Sequence, residues 1–362
     1  MIGAMAWRPR GSDRRARPVI VGAWVAVGLL GLGLSGNLAD AASTGAGRFG
    51  RVDAAMRRRV RGSGGGATVV VHDRTTLFRR TYGGLRTTTP IPIASASKWL
   101  TSATLMTLVD QGRLALDDPV AKYLPSFGVD KGTVTIRSLL SHTSGLPDSD
   151  CVGDPTITLR ACVDQTATAP GVVRAFHYSS VGYEVAGRVI EVLTGEPFER
   201  AFEDRIANPI GMRRTRFDGT TRPRSPNPDP SASAISTVDD YTRFLDMVEH
   251  LGTSGTHPIL SPTSVLEIER DQVQPFDTSR DPAVAITRIH TYGLGVWRDT
   301  TDPADGTVVA SGNGALGFYP WIDRAHADYG IVGVVDDRGP DHAVPASQRV
   351  ARLEWTAAAT GT

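Results

Sequence analysis

The chain has 362 residues, of which 40% are hydrophobic and 21% are charged, and its formal net charge at pH 7 is +1. This composition excludes an intrinsically disordered chain, because it supplies enough apolar side chains for one or two sizeable cores. The near-neutral charge gives no indication of nucleic acid as a partner.

Residues 1–42 have the sequence pattern of an export signal. Five arginines precede an uncharged apolar run at 19–34, and Ala39 and Ala41 supply the small residues of a cleavage site. We therefore expect residues 43–362 to be the mature protein, secreted or held in the cell envelope outside the cytoplasmic membrane. The alternative is an uncleaved N-terminal anchor, which would be the chain's contact with the membrane.

An amphipathic helix and a β-hairpin are predicted next. The apolar side of the helix faces away from four arginines on a helical wheel: Phe49, Val52, Met56 and Val60 against Arg57, Arg58, Arg59 and Arg61. We expect these arginines to face solvent, with an anionic membrane surface as the alternative contact. After a glycine-rich hinge, residues 67–72 and 76–82 are predicted to form the two strands of a hairpin.

Ser95 and Lys98 lie at the start of the following predicted helix. Residues at positions i and i+3 share a helix face, so the Lys98 amine is expected beside the Ser95 hydroxyl. A serine hydroxyl is a poor nucleophile at neutral pH, and a buried amine that has lost its proton can activate it. The chain has only three lysines, so a chance surface charge is a weaker explanation. The same spacing alone also occurs in unrelated helices.

The remaining elements define the expected architecture. Helices are predicted at 135–140, 182–193, 239–251 and near 345–358, and strands at 292–298, 307–310, 315–322 and 329–335. Strands near both ends and helices between them predict an α+β fold, an α/β sandwich with an antiparallel sheet built from both termini and flanked by helices. The sheet parts are expected at about 62–112 and 285–362, with a mainly helical domain inserted at about 113–284.

The cysteines and histidines bear on covalent and metal chemistry. Cys151 and Cys162 lie eleven residues apart in a loop-rich segment of an exported chain, so a disulfide is expected, with two free thiols as the alternative. The eight histidines show no metal-ligand spacing, and no metal or other cofactor is predicted. His177 is expected to shape a pocket or to lie in the core.

Several motifs, taken in order, resemble the serine β-lactamase-like hydrolases, a family that includes class C β-lactamases, D-alanyl-D-alanine carboxypeptidases and related esterases. Ser95-Ala96-Ser97-Lys98 looks like the nucleophile motif of this family. The most specific similarity is the stretch at 134–146, which contains His142, and Tyr178-Ser179-Ser180 is similar to the Tyr-x-Asn motif. The resemblance covers about 67–356 and implies the β-lactamase and penicillin-binding transpeptidase fold.

The resemblance also implies a mechanism. Ser95 would attack a carbonyl to form an acyl-enzyme, with Lys98 and Tyr178 sharing the proton transfer. Tyr178 can act as a base only if a cation such as Lys98 stabilises its phenolate. The backbone N–H groups of Ser95 and Ala315 would form the oxyanion hole. His142 and Ser144 look like parts of a catalytic triad, but in the family this stretch is structural.

Two departures from the family pattern bear on the substrate. Ser180 replaces an asparagine amide with a single hydroxyl, so substrate amide recognition is expected to be weakened or rewired. The Lys/His-x-Gly motif of relatives reads here as Gly312-Asn313-Gly314 before Ala315, or begins at Ser311. No cation stands there to hold a substrate carboxylate, which favours neutral esters or amides over β-lactams and D-Ala-D-Ala peptides.

The sequence therefore predicts an exported serine hydrolase that acts on a small-molecule or peptide acyl substrate: an ester, an amide or a D-Ala-type cell-wall peptide. A penicillin-recognising sensor that is acylated but barely turns over is one alternative, and an inactive member retained for an interaction is another. A substrate carboxylate could still be held if Arg324 or Arg338 folded back towards the site. The aromatic run at 318–321 is expected either to line the mouth of the site or to pack in the core.

Overall fold

A computed structural model describes residues 47–128, 131–170, 172, 174–217, 225–302 and 307–360. The predicted export signal at 1–42 lies outside these residues. Within the described ranges, no helix is both long enough and apolar enough to cross a membrane. Residues from Arg48 onward group into one compact unit. The boundaries of the expected helical insert stay a prediction.

Ten strands are present in the described residues. They are β1 (Gly65–His72), β2 (Thr75–Gly83), β3 (Ile91–Pro92), β4 (Ile235–Ser236), β5 (Thr253–Ser254), β6 (His257–Pro258), β7 (Trp297–Asp302), β8 (Thr307–Ser311), β9 (Tyr319–Asp323) and β10 (Asp328–Val334). Six of them form one antiparallel sheet in the order β2-β1-β10-β9-β8-β7. The first two and last four strands of the chain thus make the sheet, as predicted.

The described helices flank this sheet. They are α1 (Gly50–Arg59), α2 (Ser97–Asp110), α3 (Ile136–Leu140), α4 (Leu159–Thr168), α5 (Val181–Thr194), α6 (Phe198–Phe202), α7 (Asn208–Ile210), α8 (Val238–Glu249), α9 (Pro262–Glu269), α10 (Pro282–Thr287) and α11 (Pro340–Ala359). Short helical turns also occur, including a 3-10 turn at Ala94–Ala96 directly before α2. The mixed α+β architecture confirms the predicted fold class.

Strand β1 shows why the sheet is covered on both faces. Successive side chains of a strand point to opposite faces, so its valine run feeds two separate cores. Val69 and Val71 lie in the larger core with α2 and α8, whereas Val70 lies in the smaller core with α1 and α11. Asp73 and Arg74 join β1 to β2 with φ values of 38° and 65°, the left-handed pair that a two-residue hairpin turn requires.

Two predicted strands begin later than expected. The segment predicted as strand 292–298 becomes regular only at Trp297, because the N–H of Gly293 bonds the carbonyl of Val296 at 2.8 Å in a tight turn. The segment predicted as 315–322 begins at Tyr319, because the N–H of Gly317 bonds the carbonyl of Gly314 at 2.8 Å and closes the hairpin between β8 and β9. Ala315 therefore lies in a hairpin turn, not on a strand.

The arginine-rich face of α1 is only partly solvated. Arg57 and Arg58 are exposed as expected, but Arg59 is buried and its Nη1 lies 2.7 Å from Oδ2 of Asp336. The prediction that all four arginines face solvent is thus wrong for Arg59. A buried guanidinium is tolerated here because a carboxylate pairs with it.

The aromatic run at 318–321 packs in the two cores. The Phe318 ring lies 5.3 Å from that of Tyr241, and the Trp321 ring lies 5.7 Å from that of Trp355. All four residues of the run are buried. Of the two alternatives predicted for this run, core packing is the one observed.

Candidate active site

Ser95 lies in the 3-10 turn that precedes α2. Ala94 adopts φ = 45°, a left-handed conformation that residues other than glycine rarely adopt. The hydroxyl of Tyr241 donates to the carbonyl of Ala96 at 2.8 Å and fixes the other side of the turn. Ser95 is only partly buried, although the residues that follow it are in the core. The nucleophile candidate is thus held on a rigid turn with its side chain accessible.

Lys98 supplies the predicted amine beside this hydroxyl. Its side chain is 1% exposed, and Nζ lies 3.1 Å from Oγ of Ser95 and 3.3 Å from the carbonyl oxygen of Ser231. Nζ also lies 4.8 Å from the centroid of the Tyr178 ring and 5.5 Å from that of the Tyr183 ring. The structure thus brings Ser95, Lys98 and the Tyr178 ring together, and Ser95 and Lys98 lie within the reach that a nucleophile and its base require.

Tyr178 is half-buried among other rings. It stacks on Trp297 with ring centroids 5.1 Å apart, and the rings of His142 and Tyr292 lie 4.4 and 5.9 Å away. Contacts of this kind favour defined orientations of the rings. The phenol is therefore held in one place beside the Lys98 amine.

The backbone of Tyr178 is held by charged groups that the sequence did not indicate. Its N–H donates to Oδ2 of Asp281 at 2.9 Å, and the neighbouring His177 lies 3.5 Å from the same oxygen and 3.1 Å from Asp148. The hydrogen bond with Asp281, together with that of Asp148 and against partial burial, raises the pKa of His177 to about 9. The side chain of His177 is 45% exposed, so of the two alternatives predicted for it the core position is wrong, and a role in shaping the pocket stays a prediction.

His142 forms hydrogen bonds with the loop at 177–179, which carries Tyr178. Its Nδ1 accepts the N–H of Ser179 at 3.2 Å, its carbonyl accepts the N–H of His177 at 2.9 Å, and Nε2 lies 3.3 Å from the hydroxyl of Tyr292. Burial, and then the charges of Lys98 and His177, hold its pKa well below the usual value. His142 is therefore neutral, and its contacts are those of a structural residue.

Ser180 ends the Tyr178 motif at the N-terminus of α5. Its Oγ lies 2.8 Å from Oγ of Ser231, which in turn lies 2.6 Å from Oδ1 of Asp229. The carbonyl of Ser231 is the second partner of Lys98. The Asp-Pro-Ser order at 229–231 is typical of a turn closed by a side chain. However, 133 residues separate Ser231 from Lys98, so no local pattern could have linked them.

The predicted disulfide is present and adjoins this segment. Cys151 and Cys162 are joined by an S–S bond of 2.01 Å. The side-chain amide of Asn227 donates to the carbonyl of Cys151 at 2.9 Å, and a Cβ on Gly153 would lie 3.3 Å from that of Asp229. The disulfide-closed loop therefore supports the segment that carries Asp229 and Ser231.

The segment Gly312 to Ala315 runs beside the Ser95 turn. A Cβ on Gly314 would lie 2.4 Å from the carbonyl oxygen of Ile93, and one on Gly312 would lie 3.6 Å from Cα of Ala96. The two glycines thus face this turn. Asn313 between them is buried.

The turn of this hairpin is connected by hydrogen bonds to the C-terminal region and, through Asp336, to α1. The carbonyl of Leu316 accepts the N–H of Asp336 at 2.9 Å, and the carboxylate of Asp336 pairs with Arg59 of α1. Gly317 in the same turn accepts the hydroxyl of Ser347 on α11 at 2.8 Å. The position of Ala315 therefore depends on both α1 and the C-terminal region.

The two arginines considered as substitutes for the missing cation are engaged elsewhere. Nη2 of Arg324 lies 2.6 Å from Glu269, and its Nη1 donates to the carbonyl of Glu249 at 2.9 Å. Nε of Arg338 lies 2.8 Å from Asp336. Neither guanidinium occupies the place of a motif cation at Gly312.

Both the sequence and the fold are similar to those of known proteins. A family model described as Beta-lactamase matches residues 52–354. The crystal structure of a proposed β-lactamase of Bacteroides dorei is 31% identical with a TM-score of 0.75, and the match covers 84% of this chain and 97% of that one.

Two curated relatives match over a shorter region. Penicillin-binding protein 4 of Amycolatopsis lactamdurans is 32% identical over 51% of this chain and 46% of its own length. The D-alanyl-D-alanine-carboxypeptidase/endopeptidase AmpH of Escherichia coli K12 is 31% identical over 46% of this chain and 47% of its own length. The chain thus spans about half the length of these relatives.

Proposed function

The chain belongs to the Beta-lactamase family, and from this premise we propose that it is an exported serine hydrolase that forms an acyl-enzyme on Ser95. The observation that carries the proposal is the buried Lys98 amine, 3.1 Å from the Ser95 hydroxyl. At this distance the amine is within hydrogen-bond reach of the attacking hydroxyl, which is the arrangement of a nucleophile and its base.

The proposed reaction has two steps. The Ser95 oxygen bonds to the substrate carbonyl carbon while its proton passes to the pair formed by Lys98 and Tyr178, and that proton then leaves with the departing alcohol or amine. Water subsequently attacks the acyl group and regenerates Ser95. The N–H groups of Ser95 and Ala315 stabilise the negative oxygen in both steps, and each such donor typically contributes about a hundredfold to a thousandfold in rate.

Two observations bear on the substrate class. AmpH of Escherichia coli, by its name, acts on D-alanyl-D-alanine peptides, which supports cell-wall peptides as one class. The absence of a cation at Gly312 instead favours uncharged esters and amides, because no charge-assisted hydrogen bond would hold a substrate carboxylate. Export is supported by the pattern at 1–42 and by the disulfide between Cys151 and Cys162.

The test is the intact mass of purified residues 43–362 after brief exposure to a reactive ester and, separately, to a penicillin. Ser95→Ala is the control. We expect an acyl adduct on the wild type only, and its fast decay with the ester indicates a hydrolase. A penicillin adduct that persists, with no ester turnover, would instead favour a penicillin-recognising sensor. A folded wild type that forms neither adduct would refute the proposal.

A further inference from the structure

The loop at 226–234 begins beside the disulfide. The carbonyl of Pro226 accepts the N–H of Leu159 at 2.9 Å, and the side-chain amide of Asn227 donates to the carbonyl of Cys151 at 2.9 Å. Leu159 is the first residue of α4, the helix that carries the other cysteine. The two hydrogen bonds therefore join the 226–234 loop to both halves of the disulfide.

Asn227 is the side chain that makes this connection. It is 2% exposed, and among the described residues its amide nitrogen has the Cys151 carbonyl as its one acceptor. A buried donor without an acceptor is costly, so Asn227 follows the position of this carbonyl. A Cβ on Gly153 would lie 3.3 Å from that of Asp229, so the segment closed by the disulfide also borders the middle of the 226–234 loop.

The end of the same loop contacts α2. Three hydrogen bonds join them: the hydroxyl of Thr101 donates to the carbonyl of Pro230 at 2.6 Å, Nζ of Lys98 to the carbonyl of Ser231 at 3.3 Å, and the N–H of Ala234 to Oγ of Ser97 at 3.1 Å. Within the part of the chain that the structure describes, Lys98 has two hydrogen-bond partners, the Ser95 hydroxyl and the Ser231 carbonyl. The lysine side chain is flexible, so this carbonyl helps to set where the amine lies beside the nucleophile.

The middle of the loop is a closed turn that can carry a displacement from Asn227 to Ser231. Asp229 has φ = 43°, and its Oδ1 accepts the N–H of Ser231 at 2.9 Å. Its carbonyl accepts the N–H groups of Ala232 and Ser233 at 3.3 and 3.2 Å. Because these hydrogen bonds hold the turn together, a change at its first residues reaches the Ser231 carbonyl.

We propose that the disulfide positions the Lys98 amine through the 226–234 loop, so that Ser95 is acylated rapidly only while the disulfide is closed. Asn227 and the two cysteines are positioning residues, because they act on the base through the Ser231 carbonyl. The inference rests on the proposed function, since it concerns the acylation of Ser95.

Control by the disulfide would make acylation depend on the compartment. Closing the disulfide transfers two electrons and two protons from the two thiols to a disulfide of an oxidising exchange partner, which leaves as a dithiol. Such oxidation is common outside the cytoplasm and rare in a reducing cytoplasm. The chain would therefore acquire its full rate of acylation only after export.

A p-nitrophenyl phosphonate ester separates the rate of attack by Ser95 from the amount of active protein. The Ser95 oxygen bonds to phosphorus, p-nitrophenolate leaves, and the phosphonyl group stays on the serine. The final amount of p-nitrophenolate gives the fraction of active molecules, and the time course gives the rate constant of attack. A merely structural role of the disulfide would lower only the active fraction, whereas a positioning role lowers the rate constant.

Two variants break the connection at different points. Cys151→Ser/Cys162→Ser removes the disulfide, and Asn227→Ala removes the amide but leaves the disulfide in place. We expect each to lower the rate constant by about tenfold, less than the roughly hundredfold cost of a 1 Å misplacement, because Lys98 stays three residues from Ser95. Asn227→Ala keeps the test decisive if the serine variant does not fold.

The combined variant tests whether both changes act on one connection. Cys151→Ser/Cys162→Ser/Asn227→Ala should be at most about twofold slower than Asn227→Ala, because changes in one connected network are not additive. Asn208→Ala is the matched control: its exposed amide donates to Asp204 at 3.3 Å, and the wild-type rate constant is expected. Thermal unfolding checks that each variant is folded.

The outcomes separate the two proposals. A wild-type rate constant in folded Asn227→Ala or in the folded serine variant, or a loss confined to the active fraction, would overturn the positioning role and leave the hydrolase intact. A combined variant about tenfold slower than Asn227→Ala would show that the disulfide does not act through Asn227, which also overturns it. If the wild type forms no adduct on Ser95 with the phosphonate or the reactive ester, the proposed function fails and this inference fails with it.

Discussion

Replacing Gly314 with alanine should disable the site without unfolding the protein. The added Cβ would lie 2.4 Å from the carbonyl oxygen of Ile93 and 2.9 Å from that of Phe318. Real Cβ contacts do not fall below 3.0 Å, so the backbone at 314 and the Ile93 turn must separate by at least 0.6 Å. Both contacts are to backbone atoms, which cannot rotate out of the way as a side chain can.

The displacement acts on the two groups proposed to stabilise the negative oxygen. Ala315 follows Gly314, and Ser95 follows the Ile93 turn, so their N–H groups are pushed apart. A misplacement of about 1 Å can cost roughly a hundredfold in rate, and the loss of one oxyanion donor about a hundredfold to a thousandfold. We expect kcat/KM of Gly314→Ala on a p-nitrophenyl ester to fall by about a hundredfold.

Gly312→Ala is the matched control on the same segment. Its Cβ would first meet the Pro320 ring at 3.2 Å, a side chain that can shift by the few tenths of an ångström required. We therefore expect Gly312→Ala to retain at least about tenfold more activity than Gly314→Ala. Equal activity of the two folded variants would refute the contact between Gly314 and Ile93 as the element that sets the oxyanion geometry.

Three further predictions concern the base, the tyrosine loop and the buried ion pair. Lys98→Arg should abolish the acyl adduct on Ser95 in intact-mass measurements, because arginine keeps the charge but cannot release a proton; an adduct formed at the wild-type rate would exclude Lys98 as the base. The raised pKa of His177, about 9 against an ordinary 6.5, stabilises the fold fully below pH 6.5 and loses this effect as pH rises through 9. The Tm difference between wild type and His177→Gln should thus be largest near pH 6 and should disappear at pH values well above 9, whereas a constant difference would contradict the ion pairs with Asp148 and Asp281. Arg59→Met leaves Asp336 without its buried partner and should reduce the free energy of unfolding by about 3 kcal/mol in urea titrations, in contrast to the exposed Arg58→Met, which should change it by less than about 0.5 kcal/mol.

Local patterns of apolar residues in the sequence predicted the fold well. The valine run of β1 and the apolar periodicity of α5 and α8 are local patterns, and these elements lie within a few residues of their predicted positions. The boundaries failed where a turn was built from long-range contacts. Ala315 was expected on a strand, but the hairpin turn that contains it is fixed by Asp336 and Ser347.

The sequence predicted only those site residues that lie close together in the chain. Ser95 and Lys98 are three residues apart on one face, so helical geometry alone brings them together. Asp229 and Ser231 reach the site from one loop and Asp281 from another, and no sequence period connects either loop to Ser95. The hydrogen-bond partner of Ser180 could not be derived from the sequence either, because Ser231 lies 51 residues further along the chain on another loop.

The connection from Arg59 through Asp336 to Leu316 also limits when the site can form during synthesis. The first helix and a residue near the C-terminus hold the same hairpin turn, and β1 pairs with β10 in the sheet. A nascent chain that has not yet reached residue 336 contains Ser95 and Lys98 but lacks the carboxylate that joins these parts. Fragments that end before residue 336 should therefore carry Ser95 and Lys98 without the proposed acylation.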